Sequence, residues 1–192
     1  MAIPKKPRTC RVCKTVFQPH KIMQTVCGPE CAIKQAQATR SKAERIQGIE
    51  DRKVIKAKLD KLKTARDWTK EAQIAFNAFI RERDKGQPCI CCGQSLSSGD
   101  VGGQYDCGHY RSVGSAPHLR FDPRNAHAQR KQCNRWGAGR AVDYRLGLLA
   151  RIGSEAVESL ESDQTPRKYT IEELKAIKAY YIKKRKELIN GR

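Results

Sequence analysis

The chain has 192 residues, 39 of them Lys or Arg against 20 Asp or Glu, for a formal net charge of +19. With 39% hydrophobic and 31% charged residues, it can bury a modest core but not one large globule. No long apolar run and no signal-like segment accompany the charge, so an anionic membrane is disfavoured as a partner, a cytoplasmic location is expected, and nucleic acid leads the possible polyanionic partners.

Nine cysteines, Cys10, Cys13, Cys27, Cys31, Cys89, Cys91, Cys92, Cys107 and Cys133, fall in clusters and are odd in number. Without an export signal, that pattern favours metal sites over a disulfide framework. The first four lie within residues 1–31 as Cys10-x2-Cys13, thirteen residues, then Cys27-x3-Cys31, with Gly28 and Pro29 inside the last pair. Thiolates so spaced can close a tetrahedron around Zn2+. In a segment so poor in apolar side chains the metal would supply the folding free energy, on the order of 10 kcal/mol.

Residues 32–63 read as a long charged helix, with ten Lys/Arg against four Asp/Glu. Ile46, Ile49, Ile55, Leu59 and Leu62 recur there at roughly helical spacing. It is either a solvated helical linker or a basic arm along a phosphate backbone. A second helix over 67–84 carries one apolar stripe, Trp68, Ala72, Phe76, Phe79 and Ile80, expected to pack against the domain C-terminal to it. Gly86 and Pro88 end it. Residues 88–139 are rich in Gly, Cys, His, Asn and Arg, a composition that needs a metal to hold it together. Two short strands are expected at about 104–111 and 118–121, then a short helix starting near Cys133. Further helices are expected over about 141–151 and 154–161. The last opens at "TIEE", where Thr170 and Glu173 match a capping box and Leu174, Ile177, Tyr181 and Leu188 line one face.

Within 88–139 the order is a knuckle, Cys89-x2-Cys92, then His109 in "YDCGHYR", Asn125 in "RNAHAQ", and Asn134 directly after Cys133. This order resembles the HNH, or ββα-metal, nucleases. There a hairpin delivers a histidine and a helix a second polar residue, with one divalent metal between them at the scissile phosphate. A neutral imidazole can take a proton from water near pH 7, and a hard cation with oxygen ligands stabilises the charge developing on phosphate. Across essentially the whole chain, "NAFIRERD", "PCICCG", "GHYRS", "LRFDPRNAHAQ", "CNR" and "ARIGSEAVE" resemble the NinG (Rap) family of lambdoid phages. Membership implies a recombination endonuclease that cuts branched DNA such as Holliday junctions and D-loops. Two-fold symmetric cutting of a four-way junction would suit a homodimer. A non-catalytic zinc-containing DNA-binding protein is the competing reading.

The resemblance implies roles for particular residues. His109 is the general base, Asn125 braces the hairpin and orients His109, and Asn134 is a ligand of a catalytic Mg2+ or Mn2+. Where such folds carry an acidic ligand just before the base, this chain has Gly108; Asp106 either reaches the metal or caps a turn. His127 either contacts metal or phosphate or is simply packed. Relatives can carry C-x-x-C before the Asn, whereas Arg130 stands here at its first place and Cys107 stands where a small residue can occur. The expected ligands of a second zinc are therefore Cys89, Cys92, Cys107 and Cys133. Cys91 is the other possible fourth ligand, and a merely buried Cys107 the plain alternative. In a regular strand Cys107 and His109 share a face, so the expected set needs a bulge at Gly108. Arg111, Arg120, Arg124, Arg130, Lys131, Arg135 and Arg140 would neutralise phosphates. Tyr110 and Trp136 either stack on unpaired bases or pack in the core.

The expected architecture is α+β, mostly helical, around a small ββα-metal (HNH-like) zinc-containing core. Its parts are an N-terminal zinc-binding module (1–31), a basic helical linker or arm (32–66), an HNH-like nuclease domain with its leading helix (67–140) and a C-terminal basic helical region (141–192).

Overall fold

The computed structural model describes residues 6–96, 105–137 and 139–191. The chain divides into two units, one ending at Leu62 and the other beginning at Lys63.

In the first unit β1 (Arg8–Thr9) and β2 (Val16–Phe17) pair antiparallel, Arg8 opposite Phe17. The turn between them closes through Cys10 N–H donating to the Thr15 carbonyl at 2.8 Å. It needs a left-handed residue, supplied by Lys14 at φ 65°. Helix α1 then runs from Pro29 to Leu62, 34 residues, or about 50 Å. Pro29 occupies its first position, where the missing N–H costs nothing. Cys31 is its buried residue, and Ile46, Ile49, Ile55, Leu59 and Leu62 are all exposed. The apolar positions are spread around the helix, so it is a solvated rod with local pairs such as Arg40–Glu44 at 2.9 Å.

The second unit is built around a two-stranded hairpin. Helix α2 (Ala65–Arg83) opens on a capping box in which the Thr64 hydroxyl accepts from Asp67 N–H and the Asp67 carboxylate accepts from Thr64 N–H. Its stripe packs on α5 (Ile171–Asn190). Trp68, Phe76, Ile80, Leu174 and Tyr181 are buried together, with Phe79 half-buried beside them. The Tyr181 hydroxyl donates to the Phe121 carbonyl at 2.8 Å, and Glu71 pairs with Lys63 and Lys178, each at 2.6 Å. Thr170 and Glu173 form the expected capping box at the start of α5.

Strand β3 (Tyr105–His109) pairs antiparallel with β4 (Ala126–Arg130) in unbroken register, Tyr105 opposite Arg130 and His109 opposite Ala126. The expected strand at 118–121 is not one: Pro117–Leu119 forms a single 3-10 turn, and the partner of β3 lies further on. The reason is long-range. At the end of α2, Arg83 donates to the Pro123 and Ala126 carbonyls, both at 2.8 Å, and the buried Asp84 carboxylate accepts from Ala128 N–H at 2.8 Å. These two side chains hold "AHAQR" extended although it has no β-branched residue. One face of the hairpin, with Cys107 and Ala126, covers the α2–α5 core. On the other, Tyr144 of α3 (Ala141–Ile152) donates its hydroxyl to the Gly108 carbonyl at 2.9 Å. A second core joins Ile90, Tyr144, Leu148 and Val157, the last from α4 (Ser154–Ser162). Among the described residues no helix is long and apolar enough to cross a membrane.

Candidate functional site

The first cysteine cluster forms where the β1–β2 turn meets the start of α1. The Sγ atoms of Cys10, Cys13, Cys27 and Cys31 lie within 4.8 Å of one another, Cys13 to Cys27 at 3.5 Å and Cys27 to Cys31 at 3.6 Å. A tetrahedral zinc at about 2.3 Å from each sulfur requires edges of about 3.8 Å, which this set fits. Burial raises the Cys10 thiol, but backbone N–H groups of Cys13, Val12 and Cys27 outweigh it and bring the pKa down to about 6. Cys31 sits in the first turn of α1; the Cys27 contact lowers its thiol, but burial and the neighbouring Cys13 and Cys10 sulfurs outweigh it and raise the pKa.

The second cluster gathers Cys89, Cys91, Cys92 and Cys133, again with all Sγ atoms within 4.8 Å. The knuckle curls tightly: Cys89 N–H donates to the Gln94 carbonyl, Gly93 N–H returns to the Cys89 carbonyl, and Gly93 is left-handed at φ 68°. This curl lets Cys91 and Cys92 both face inward. Cys89 Sγ accepts from Arg130 N–H at 3.3 Å and Cys91 Sγ accepts from the Gln129 amide at 3.4 Å. Cys133 enters from a single π-helical turn, Gln132–Trp136, that follows β4. Helix α3 packs tightly on the knuckle, since any side chain at Gly147 would run into the Ile90 carbonyl. The donor set fits one four-coordinate zinc. The two clusters of four can therefore each hold a zinc ion.

Cys107, expected as a ligand, is not in this cluster. The β3–β4 register has no bulge at Gly108, so alternation turns Cys107 to the α2 face. There it is buried with Phe76, Phe121 and Ala126, and burial pushes its thiol up to about 12. It is a core residue, and Cys91 is the fourth sulfur.

His109 lies on the same face as Cys107, its ring 5.8 Å from Phe76. Nε2 is 3.1 Å from the Arg120 carbonyl. A carbonyl only accepts, so Nε2 carries the proton and Nδ1 keeps the lone pair. Burial lowers its pKa and outweighs the hydrogen bond to the Arg120 carbonyl, which raises it, so the ring is neutral at pH 7. Asn125, fully buried, fastens the loop between the strands. Its Oδ1 accepts from Arg111 N–H at 2.8 Å, and its Nδ2 donates to the carbonyls of Arg111 at 3.0 Å and Leu119 at 3.2 Å. It reaches His109 only through this loop, whose Arg120 carbonyl receives the ring.

Asp106 and Asn134 meet each other, but not His109. Asn134 Nδ2 donates to Asp106 at 3.2 Å, and Arg135 grips the same carboxylate through Nε at 2.8 Å. Partial burial raises the Asp106 pKa, and the Arg135 and Asn134 hydrogen bonds outweigh it and lower it overall. Alternation puts Asp106 on the opposite face of β3 from His109. As arranged, these residues do not fit a cation held between the base and Asn134. Among the described residues, the two cysteine clusters are the only groups of three or more His, Cys, Asp or Glu suited to a metal.

His127 is packed and belongs to neither cysteine cluster. It is 3% exposed, its ring is 6.3 Å from Tyr144, and burial with the nearby Arg83 charge lowers its pKa to about 4. Of the expected phosphate contacts, Arg111 is committed to the Leu160 and Asp163 carbonyls, and Arg120 to Gln73 and the Val113 carbonyl. Arg124 chelates Asp122. Arg130, Lys131, Arg135 and Arg140 lie in or beside the π-helical turn, Arg130 bonded to Gln94, Arg135 paired with Asp106 and Arg140 with Asp143. Tyr110 stacks on Tyr144 and donates to Glu161, whereas Trp136 is exposed. Sequence reading missed the Arg83–Asp84 clamp, which has no local signal, and the Thr64–Asp67 box, whose T-x-x-D spacing was available.

The family model described as Bacteriophage Lambda NinG protein matches residues 1–190. Curated relatives called Protein ninG cover nearly the whole chain. That of Escherichia phage lambda is 43% identical over 205 aligned positions, covering 100% of this chain and 98% of the relative. That of Salmonella phage P22 is 44% identical over 191, covering 94% and 92%, and that of Escherichia phage 933W is 42% identical over 203, covering 100% and 98%. No solved structure matches the chain.

Proposed function

The chain belongs to the NinG family, and on that premise we propose that it is a metal-dependent endonuclease that hydrolyses phosphodiester bonds in branched recombination intermediates, Holliday junctions and D-loops among them. The observation that carries the reading is His109: a neutral imidazole at the end of a hairpin strand, its Nε2–H held by the Arg120 carbonyl and its Nδ1 left as acceptor. Such a ring can remove a proton from an attacking water. The net charge of +19 and the Arg130–Arg140 group suit a polyphosphate substrate. Asn125 serves by locking the loop that presents the Arg120 carbonyl. Asp106, with Asn134 bonded to it, lies on the strand face opposite His109 and gives Mg2+ or Mn2+ no shared site with the base, so the metal dependence in this reading comes from the family resemblance alone. The cysteine clusters hold structural zinc, since four thiolates leave no open position.

One observation favours the second reading, a zinc-containing DNA-binding protein without catalysis: Asp106 is ion-paired and faces away from His109. A synthetic four-way junction and a matched linear duplex, incubated with full-length protein in Mg2+ or Mn2+, separate the two. The nuclease reading expects nicks near the branch that His109→Ala abolishes while zinc content and DNA binding stay. Cutting that survives His109→Ala removes the proposed base. A wild type that binds the junction but never cuts it establishes the second reading.

A further inference from the structure

The chain's two tryptophans have opposite fates. Trp68 is 6% exposed in the α2–α5 core, with the ammonium groups of Lys63, Lys175 and Lys178 about its ring at 4.7, 5.1 and 5.3 Å. Trp136, the last residue of the π-helical turn, is 77% exposed. An indole left in water at the edge of a polar surface is the side chain that gains most from a flat partner.

Its surroundings say which partner. Trp136 borders a cleft of about 370 Å³, lined also by Arg130, Arg140, Gln94 and Gln132, with Cys92 and Cys133 of the second cluster in its wall. Arg130 is steadied by the Gln94 side chain. Arg140 is held at a left-handed backbone position, φ 49°, by its N–H on the Gly137 carbonyl at 2.9 Å, and its guanidinium is 3.7 Å from Asp143. Among the described residues, no carboxylate lines the cleft. A stacking face, two guanidiniums and two amides are the chemistry that recognises one nucleotide: π-face, phosphate and base edge. A cleft of this volume is at the small end of ligand sites and suits one nucleotide, not a base-paired helix.

We propose that this cleft binds an unpaired nucleobase, with Trp136 stacked on the base and Arg130 and Arg140 on the flanking phosphates. The inference rests on the DNA-directed reading above and adds what is recognised: a base freed from its stack, as at a branch point or in a single strand. In a continuous duplex each base face is already covered by its neighbours, so the cleft discriminates by availability of that face. The cleft wall contains two cluster sulfurs, so the site keeps its shape only while the second cluster is closed.

The test compares wild type, Trp136→Ala and Trp136→Phe by fluorescence anisotropy, with labelled single-stranded oligothymidylate and a blunt linear duplex at equal salt. Trp136→Ala should weaken oligothymidylate binding about ten-fold or more, within the range for one lost stacking contact. Trp136→Phe should keep most of the affinity, and duplex affinity should stay within about two-fold. Thermal midpoint and zinc content should not change, because the side chain is exposed. The wild-type emission that Trp136→Phe lacks should be quenched on saturation with oligothymidylate. Equal loss on both DNAs, or saturation without quenching, overturns the stacking site and leaves the DNA-directed reading standing. A wild type that binds neither DNA sinks that reading and the inference with it.

Discussion

Replacing Cys91 and Cys107 separately tests which sulfur closes the second cluster. Cys91 Sγ is 3.6 Å from Cys89 Sγ, near the roughly 3.8 Å edge of a zinc tetrathiolate. Structural zinc contributes about 10–16 kcal/mol in small sites, so one thiolate in four accounts for roughly 3 kcal/mol. Cys91→Ser should therefore weaken zinc at this cluster about a hundred-fold. Cys107→Ala removes one buried sulfur from among Phe76, Phe121 and Ala126. That costs about 1–2 kcal/mol in lost burial and cavity, a fall of a few degrees in thermal midpoint, with no metal consequence. The assay is zinc per chain by elemental analysis after dialysis against a competing chelator. The expected counts are two for wild type and Cys107→Ala, and one for Cys91→Ser. If Cys107→Ala loses a zinc, or Cys91→Ser keeps two, the assignment by strand face is refuted.

Two further outcomes rest on buried polar groups. The pKa of His127 falls from 6.5 in the unfolded chain to about 4 in the folded one. Between these values the unfolded state binds the extra proton, so the contribution is fully present above pH 6.5 and is lost as pH falls towards 4, at most roughly 3 kcal/mol. Urea unfolding across that window should show a steeper acid loss for wild type than for His127→Gln; thiolate protonation affects both alike. Asn125→Ala strands Arg111 N–H and two carbonyls inside the hairpin loop. It should cost about 3 kcal/mol, on the order of 10 °C in midpoint. Asn125→Asp should be no better near neutral pH, because a carboxylate cannot donate to the Arg111 and Leu119 carbonyls; calorimetry of both variants checks this.

Much of this protein was legible residue by residue, because the signals are local. Cys10, Cys13, Cys27 and Cys31 announce a metal module through spacing alone. Trp68, Ala72, Phe76 and Ile80 recur with the helical period and pack as expected, and Thr170 with Glu173 marks the start of α5. The elements around the site were harder. The partner of β3 is "AHAQR", whose extended state comes from Arg83 and Asp84, more than forty residues earlier in the chain. No propensity inside those five residues carries that information.

The sequence alone thus determined the helices and the presence of two thiolate-rich sites, because composition, period and spacing act over a few neighbouring residues, while the family was legible only through resemblance of motifs along the whole chain. Only the tertiary structure decided which sulfurs share a site and which side chains share a face. Cys107 lost its place to Cys91 because an unbroken antiparallel register alternates strictly, and a tight knuckle can turn adjacent cysteines to one centre. The same alternation parts His109 from Asp106, and the same π-helical turn that sends Cys133 inward leaves Trp136 in solvent. Facing is set by hydrogen-bond register and packing between distant segments, and a linear order of residues does not contain it.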